Sequence, residues 1–488
     1  MATRDEQPAT VPRDRDRARR LRHPLVIVLV AGAIVRIAAM VLAPSAVYNY
    51  FGGDSSRYLR LESTGYTGLF DDPGMTAGYP AFLNALQWIS SHLAFTIAVQ
   101  HLLGLVTAAL LYATLRRAGA PRGLALVPAA VVALGGDFVY LEHALLTESL
   151  WTALLAGSLY CVVRALGEGA PWGWLAAGGA LMAVSATVRS PSLLLGVVLA
   201  PWVLLAFGPG RRRRLLAAAA LLVPFAVLVA AYAGAARIAD GYAGFTDLSG
   251  FNQYGRVGQF ADCREFTPPA GTERLCETTP AAERPGPFFY QWSPDSPMRR
   301  AGYLNTPEDA DVLGRFAREA LLAQPLDFAR VVAKDVVRFA VPDAGTDRPW
   351  SGSGPEQMSF GWTAPVQQAE SRQQIAESYA TVYDGVATTM PGTGSLTVLE
   401  IYQETFRVPG ILLLAGVLLS IAGILLGRGR ARLVTLLLLG VALYIYVVSA
   451  ALNSYEVRYG TTPSALLLGA AALGAWTLRL RRHAGVAA

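Results

Sequence analysis

Long apolar runs alternate with short polar segments along most of the chain. A helix needs about 20 apolar residues to cross a hydrocarbon core of ~30 Å. Ten runs are near that length: residues 24–43, 94–115, 123–141, 144–166, 172–188, 191–207, 215–236, 408–427, 433–452 and 464–478. This pattern predicts an all-α polytopic membrane protein with about ten transmembrane helices. The shorter run 79–91 predicts a surface helix that leads into the second span.

Arginines mark one side of the predicted membrane. They flank the runs at residues 13–22, 116–122, 164, 211–214, 428–432 and 479–482, whereas short loops on the other side hold only Arg57, Arg60, Arg189 and Arg458. Because cytoplasmic loops carry the excess of Lys and Arg, the first side is cytoplasmic and both termini lie there. A cleaved signal peptide is the alternative for the first run, but that run is long for a signal core and contains Arg36.

This orientation divides the chain into four parts. They are a basic cytoplasmic tail (1–23), a seven-helix membrane module (24–236) whose first loop (44–93) is extracytoplasmic, an extracytoplasmic domain or loop (237–407), and a C-terminal three-helix segment (408–488). Cys263 and Cys276 both lie in the outer domain, where an oxidising compartment favours a disulfide bond. Cys161 lies in a span, and we expect it to be inert packing.

Two helices are predicted within the outer domain. Thr306 followed by Pro307 and acidic residues is typical of a capped helix start. Further on, apolar residues from Phe328 to Phe339 share one face, and Arg330, Lys334 and Arg338 form a stripe at spacing four. This second helix lies either flat on the outer leaflet or packed on the core of the outer domain.

Composition agrees with the membrane assignment. Hydrophobic residues make up 53% of the chain and charged residues 16%, and the mean hydropathy is +0.37. Soluble domains contain nearer a quarter charged residues. The net charge of +6 comes largely from arginines beside apolar runs, so a nucleic-acid partner is not needed to explain it.

The first outer loop holds the strongest candidate for a catalytic group. Asp54 lies in "GGDSSRY", with glycines that allow close backbone approach to a ligand and with Tyr58 one helical turn later. A carboxylate near lipid can have a raised pKa and act as a general base. A solvated residue that caps a short helix is the competing explanation.

Other acidic residues are candidates for substrate binding. Asp71 and Asp72 precede a Pro-Gly pair, so turn formation is their simpler explanation. Glu142, His143 and Glu148 lie at the outer boundary of the third and fourth spans. A carboxylate buried there is costly without purpose, although Glu148 has the alternative of capping the fourth helix.

Two outer-face arginines are candidates for binding a phosphate. Arg189 ends the fifth span and Arg458 lies in "EVRYGTTP". Arginine suits phosphate because its planar fork donates paired hydrogen bonds and stays charged. Membrane anchoring is the alternative for both. No metal-binding or nucleotide-binding motif is present, so a sugar donor used on this face would be lipid-linked.

The chain resembles the membrane-embedded GT-C glycosyltransferases, especially bacterial members of the aminoarabinose-transferase and protein O-mannosyltransferase superfamily. The matching stretches are "GGDSSRYLRL" with "GYPAFL", "LLTESLWTALL", "VRSPSLLLGVVLAPWVL", "AQPLDFARVVAKDVVRF" and "EVRYGTTPSALLL". They run from the first span to the last. Each stretch alone is a weak match, and the resemblance rests on the order, the sidedness and the spacing of all five.

The resemblance implies a GT-C-like fold and a polyprenyl-phosphate sugar as donor. The sugar would pass to a hydroxyl of an acceptor glycan, lipid or protein on the outer face of the cell membrane, in cell-envelope assembly. Asp54 matches the family's first-loop base, Glu148 the acid that opens the fourth span, and Arg189 and Arg458 match positions where the family often has arginine. No cofactor is required, and a divalent metal is possible without being indicated.

The chain departs from the family in one respect. Many members have a tandem acidic pair in the first loop, whereas Asp54 is followed by Ser55. The second carboxylate is then Asp71 or Asp72, or is missing. The rival interpretations are a transporter or flippase of lipid-linked sugars, which would show repeated halves and broken mid-membrane helices, an O-antigen ligase or polymerase, and a non-catalytic scaffold.

Overall fold

The computed structural model describes most of the chain: residues 24–44, 54–55, 57–58, 68–72, 74–167, 172–208, 210–304, 306–341, 349–360, 374, 376–386 and 393–486. The predicted basic tail, residues 1–23, lies outside these. The described residues form helices joined by turns and loops, and their only β-type pairing is an isolated bridge between His92 and Asp384. The predicted all-α class is therefore confirmed for the described part of the chain.

In the part of the chain that the structure describes, nine main helices precede the outer domain or lead into it. In chain order they are α1 (Pro24–Leu42), α2 (Gly78–Gln87), α3 (Leu93–Arg117), α4 (Arg122–Leu134), α5 (Gly136–His143), α6 (Glu148–Arg164), α7 (Trp172–Val188), α8 (Gly196–Ala206) and α9 (Arg211–Asp240). A 3₁₀ turn, Ser190–Leu194, connects α7 to α8.

The outer domain and the C-terminal segment contribute the remaining main helices. The outer domain contains α10 (Ser249–Gly258), α11 (Pro287–Trp292), α12 (Pro297–Arg300), α13 (Pro307–Ala323), α14 (Pro325–Arg338) and α15 (Thr393–Thr405). The C-terminal segment contains α16 (Gly410–Leu426), α17 (Gly429–Leu452) and α18 (Val457–Val486).

Six helices in the described residues are long and apolar enough to cross a membrane. They are α1, α3, α9, α17, α18, and a continuous stretch formed by α15 and α16. The bent pair α4 and α5, which meet at 45°, makes a seventh if it counts as one span. Ten spans were predicted, and that count remains a prediction.

The difference in span count has a local cause in the backbone. The run 144–166 becomes helical only at Glu148, so α6 has 17 residues. The run 191–207 begins as a 3₁₀ turn, which leaves 11 residues for α8. Hydrophobicity therefore extends past the helix ends, and α6, α7 and α8 are short for a ~30 Å hydrocarbon core.

Close helix packing depends on glycines at specific positions. A Cβ on Gly179 of α7 would lie 1.9 Å from the Leu221 carbonyl oxygen of α9. A Cβ on Gly104 of α3 would lie 1.8 Å from Glu142 Oε1. Both contacts are far below any real Cβ distance, so only glycine lets α9 pack along α7 and lets the Glu142 carboxylate lie against α3.

A buried ion pair joins the first helices. Arg36 of α1 donates from Nε and Nη2 to the two oxygens of Glu142 in α5, at 2.7 Å each. Its Nη1 donates to the Ala133 carbonyl oxygen of α4 at 2.6 Å. His101 of α3 contacts the same carboxylate through Nδ1 at 3.0 Å. Arg36 therefore lies inside the bundle as part of a satisfied network that connects four helices.

The outer domain has its own hydrophobic core. Phe251 and Tyr254 of α10 pack with Leu313 and Phe316 of α13, and Tyr290 of α11 joins them. The side chain of Thr306 caps α13 by accepting from the Asp309 amide at 3.3 Å, as the sequence predicts. Cys263 and Cys276 form a disulfide bond with Cα atoms 5.8 Å apart. The described residues between 248 and 331 thus share a packed hydrophobic core.

Helix α14 connects the two cores. Phe328 and Val331 pack against the core of the outer domain, and Val336 and Phe339 pack against the core of the membrane helices. These contacts favour the packed helix over one that lies on the leaflet surface. The predicted basic stripe is interrupted, because Arg338 is buried with its guanidinium carbon 4.1 Å from the Tyr455 ring centroid.

Candidate active site

A cavity of about 520 Å³ opens where the membrane helices meet the outer domain. Asp54 reaches it from the first loop, Thr147 from the turn before α6, Arg189 from the end of α7, and Glu456 and Arg458 from the start of α18. These positions are far apart in sequence but come from the same ends of the membrane helices. The arginine-rich positions at the end of α3 and the start of α9 lie at the opposite ends.

Arg458 is the central cation of this cavity. Its Nη1 donates to Asp54 Oδ2 at 2.9 Å, and its Nε donates to the Glu456 carboxylate. The same Nε lies 3.9 Å from Glu148 Oε1. The Arg458 side chain is 8% exposed. One guanidinium therefore lies near three carboxylates, of which Asp54 is 404 residues away from Arg458 in the sequence.

Arg189 is the second cation. It forms an ion pair with the carboxylate of Glu148. Its guanidinium carbon lies 5.2 Å from the Trp151 ring centroid and 4.9 Å from that of Tyr459. Arg458 lies 5.0 Å from the same Tyr459 ring. The two guanidinium groups thus share one aromatic side chain, which holds two like charges near each other.

The first-loop acids have different environments. Asp72 is buried, accepts from Arg57 Nε at 2.9 Å and from the Gly74 amide at 3.0 Å, and so stabilises the loop. Asp71 is exposed and does not line the cavity. Arg57 and Tyr58 do line it. Asp72 therefore reaches the site only through Arg57, and Asp71 does not reach it.

Glu142 and His143 belong to the internal network rather than to the cavity. Glu142 pairs with Arg36. His143 Nε2 lies 2.8 Å from the Ala43 carbonyl oxygen, and its Nδ1 lies 3.1 Å from His101 Nε2. A small void of about 10 Å³ touches both Glu142 and Glu148. This void has room for about one water molecule. The Glu142 network therefore lies next to Glu148 but is not continuous with the larger cavity.

The outer domain closes the cavity with aromatic and amide side chains. Phe288, Trp292 and Trp350 line it together with Asn252 and Gln291. Aromatic faces and side-chain amides are suited to sugar rings, which present apolar C–H faces edged by hydroxyls. Sequence reasoning did not single out these residues or Tyr459 and Glu456. Only the "EVRY" stretch carried a signal for the last two, because both flank Arg458.

The environment of the cavity shifts the pKa values of two of its acids, Asp54 and Glu456, in opposite directions. Burial alone would raise the pKa of Asp54, but Arg458, Arg57 and Arg189 outweigh burial and lower it below 3.8. Burial raises the pKa of Glu456 above 4.5, and the nearby carboxylates Asp54 and Glu148 add to this rise against the opposing charge of Arg458. Asp54 is therefore ionised at neutral pH, and Glu456 is the acid in the cluster that ionises less readily.

A metal site is not formed by the described residues. No group of three or more His, Cys, Asp or Glu side chains in that part of the chain is arranged to hold a metal ion. The positive charge available at the cavity comes from Arg57, Arg189 and Arg458.

No protein-family model matches the chain, and no curated protein matches it either. Among solved structures, the chain is similar to the oligosaccharyltransferase of Archaeoglobus fulgidus. The apo form aligns at 12% identity over 96% of this chain and 52% of that chain, with a TM-score of 0.43. A complex with an inhibitory peptide and a dolichol-phosphate aligns at 11% identity over 95% and 52%, with a TM-score of 0.39. The chain spans about half the length of these proteins.

The raised pKa of Glu456 predicts a pH-dependent stability. The folded state holds this proton more tightly than the unfolded state, so the contribution of Glu456 to the free energy of unfolding falls as pH rises above 4.5. In Glu456→Gln, which stays neutral, this loss disappears. We expect the Tm of the variant minus that of the wild type to increase between about pH 4 and about pH 7.

Thermal unfolding in detergent across that pH range measures the difference. Glu319→Gln, at an exposed carboxylate of α13, is the matched control and should follow the wild type. A Tm difference for Glu456→Gln that stays constant or decreases with pH would contradict the assignment.

Proposed function

We propose that the protein is a membrane glycosyltransferase that moves a sugar from a polyprenyl-phosphate donor to an acceptor hydroxyl on the extracytoplasmic face. The observation that carries this proposal is the convergence of Arg189, Arg458 and Asp54 on one open cavity between membrane helices and an aromatic outer domain. Two cations and a carboxylate are what such a transfer needs: an anion site for the phosphate and a base for the hydroxyl.

The arginines suit the donor phosphate. In the transfer, the bond from the anomeric carbon to the phosphate oxygen breaks and the electron pair leaves with the phosphate. Cations that face this oxygen stabilise the negative charge that develops on it. Arg189 pairs with Glu148 and Arg458 pairs with Asp54, so a bound phosphate would replace part of these contacts and keep both guanidinium groups paired.

Asp54 is suited to accept the proton of the acceptor. Its oxygen lies in the cavity 2.9 Å from Arg458, and its lowered pKa keeps it ionised before the donor binds. A donor phosphate that neutralises Arg458 would weaken the interaction that lowers this pKa. The base would therefore become stronger once the donor is bound. Asp54 takes the hydroxyl proton while the acceptor oxygen bonds to the anomeric carbon.

The walls of the cavity fit a donor that is half lipid and half sugar. Val188 and Pro191 at the end of α7, and Val448 and Leu452 at the end of α17, form an apolar side of the cavity. They lie at membrane-helix ends, where a prenyl chain would enter from the bilayer. The aromatic and amide residues of the outer domain lie on the other side, where a sugar and an acceptor would bind.

The proposed domain organisation follows from these contributions. Residues 24–236 supply Asp54, Glu148 and Arg189, and residues 408–488 supply Arg458, so both membrane segments are needed for catalysis. The outer domain, 237–407, supplies the sugar-facing wall. By the positive-inside rule, the arginine-rich helix ends are cytoplasmic, as are both termini of this chain, and the cavity faces outward from the cell membrane.

Cysteine labelling checks this orientation. The chain has three cysteines, of which two are disulfide-bonded and Cys161 is buried, so the wild type gives little background. Glu283 and Arg213 are exposed at opposite ends of the molecule. In intact cells, a membrane-impermeant maleimide should label Glu283→Cys and not Arg213→Cys. The reverse labelling pattern would invert the topology and place the cavity in the cytoplasm.

Replacing the proposed base tests the mechanism. Asp54→Asn keeps the shape of the side chain but cannot accept a proton, so transfer should fall by ~100-fold or more, the usual contribution of a positioned base. Insertion and donor binding should persist. Asp71→Asn removes a carboxylate from the same loop outside the cavity, and its transfer rate should stay near that of the wild type. Turnover of labelled donor at saturation measures both, and near-normal turnover in Asp54→Asn would remove Asp54 from the mechanism.

Replacing the arginines tests donor binding. Arg189→Ala and Arg458→Ala each remove a charged donor of hydrogen bonds worth roughly 1.5–3 kcal/mol, so the Kd of a short-chain polyprenyl phosphate should rise about tenfold or more. Arg458→Lys should recover only part of this, because the paired donors are lost.

The matched control is Arg237→Ala, an exposed arginine at the same end of the molecule that does not line the cavity. Its Kd should be unchanged. Unaltered Kd values in both cavity variants would reassign Arg189 and Arg458 to membrane anchoring.

A further inference from the structure

Two tryptophans of the outer domain line the cavity of the candidate site and remain half exposed. Trp292, at the end of α11, is 52% exposed, and Trp350 is 48% exposed. Phe288, one helical turn before Trp292, lines the cavity with them. An exposed tryptophan such as Trp88, which is 80% exposed and does not line the cavity, is typical of a membrane–water interface. Trp292 and Trp350 instead present apolar surface to the cavity.

The backbone conformation of Trp350 is strained. Its φ is +66°, and among the described residues every other positive φ belongs to a glycine. A bulky side chain in this left-handed region costs free energy, and such strain persists where the surrounding structure holds the residue, often at ligand sites. Glycine would adopt the same conformation without strain. Because about half of Trp350 is exposed, packing alone does not account for a tryptophan at this position.

The segment that carries Trp350, residues 349–354, is held from two sides. On the outer-domain side, the Phe288 amide donates to the Trp350 carbonyl oxygen at 3.2 Å. On the membrane side, the Val457 amide donates to the Ser353 carbonyl oxygen at 3.1 Å. The segment therefore connects the aromatic wall of the cavity to the start of α18, and these contacts fix the backbone of Trp350 between the two.

Two amide side chains next to this aromatic wall leave one donor and one acceptor free. Gln291 Nε2 donates to Asn252 Oδ1 at 3.1 Å, and both residues line the cavity. Asn252 Nδ2 and Gln291 Oε1 make no hydrogen bond among the described residues, and neither is one of their buried unpaired atoms. Both atoms therefore keep accessible surface. A donor beside an acceptor matches two neighbouring hydroxyl groups, because each hydroxyl both donates and accepts.

This combination of groups favours a saccharide over other acceptors that carry a hydroxyl. Apolar C–H faces of a sugar ring stack on aromatic rings while its hydroxyls reach the amides. A serine or threonine side chain offers one hydroxyl and no ring face. A lipid chain would cover the tryptophans but leave the amide donor and acceptor unpaired. One sugar ring has two faces, so the three aromatic side chains Phe288, Trp292 and Trp350 offer stacking surface for more than the donor sugar.

We propose that the acceptor is a glycan and that Trp350, together with Trp292, stacks on one of its sugar rings. This inference rests on the proposed function and names the acceptor class for that function. Trp350 binds the acceptor and orients its hydroxyl towards Asp54. The strained backbone of Trp350 is the cost of placing an aromatic ring at this point of the cavity.

Binding of glycans to the full-length protein in detergent tests the proposal without requiring turnover. The probe is the oligosaccharide fraction released by mild acid from the cell envelope of the native host, added with a short-chain polyprenyl phosphate. Trp350→Gly removes the ring and relieves the backbone strain. The apparent Kd from calorimetry should therefore rise about tenfold or more, as for truncation of a tryptophan anchor, while the Tm does not fall.

Two further variants keep the test decisive. Trp292→Ala should weaken oligosaccharide binding as well, whereas Trp88→Ala, at an exposed tryptophan outside the cavity, should leave the Kd unchanged. If Trp350→Gly does not fold, Trp292→Ala against Trp88→Ala decides the outcome. No binding by the wild type, or equal Kd values in all variants, would overturn the proposal. Binding of a serine- and threonine-containing peptide that is lost in Trp350→Gly would assign the wall to a protein acceptor and overturn the glycan.

Transfer in membranes separates this proposal from the proposed function. In membranes labelled with a radioactive sugar, the wild type should pass the label to protease-resistant glycan, and Trp350→Gly should raise the KM for added oligosaccharides. A rise confined to the KM of the donor would assign Trp350 to the donor sugar and overturn the acceptor role. Label in protein would keep the proposed function and overturn the glycan. Absence of transfer, with glycan binding that still depends on Trp350, would contradict the proposed function alone.

Discussion

The ion pairs of Arg458 are the interactions on which the candidate site depends. Asp54, Glu148 and Glu456 come from three different loops or helix starts, and each would be costly to bury near a membrane as an isolated charge. The planar fork of Arg458 presents several donors at once, so it pairs with Asp54 and Glu456, while Arg189 pairs with Glu148. Removing Arg458 would leave the carboxylates of Asp54 and Glu456 near each other without their shared cation, so electrostatics contributes to the placement of Asp54 and of the start of α18.

A second polar network compensates buried charges deeper in the helix bundle. Arg36 and Glu142 are both buried, and neither is tolerable there without the other. Their pairing fixes α1 against α5 and, through the Ala133 carbonyl and His101, against α4 and α3. The bend between α4 and α5 brings Glu142 to this position. The network thus sets the shape of the membrane core immediately behind Glu148.

The attachment of the outer domain to the membrane helices positions the aromatic wall of the cavity. Helix α14 packs with one half on the outer-domain core and with the other half on the membrane core, so the aromatic wall of the cavity is held at a fixed place above the arginines. The same attachment buries Arg338 and Asp335 at the junction. Arg256 lies at the same junction and donates to Asp335 Oδ2 at 2.7 Å.

The sequence by itself determined the helical class, the approximate position of most apolar helices, the capped start of α13, and the idea that Asp54, Glu148, Arg189 and Arg458 belong together. The first three depend on local periodicity and capping chemistry, which neighbouring residues specify, whereas the grouping of the four site residues came from their shared sidedness and from the family resemblance. Only the tertiary structure decided which acids reach the cavity. Asp71, Asp72 and Glu142 are, like Asp54, acids of the predicted outer face, yet Asp71 is exposed, Asp72 pairs with Arg57, and Glu142 pairs with Arg36. Burial and ion pairing depend on contacts between residues tens to hundreds of positions apart, and no local pattern encodes those contacts.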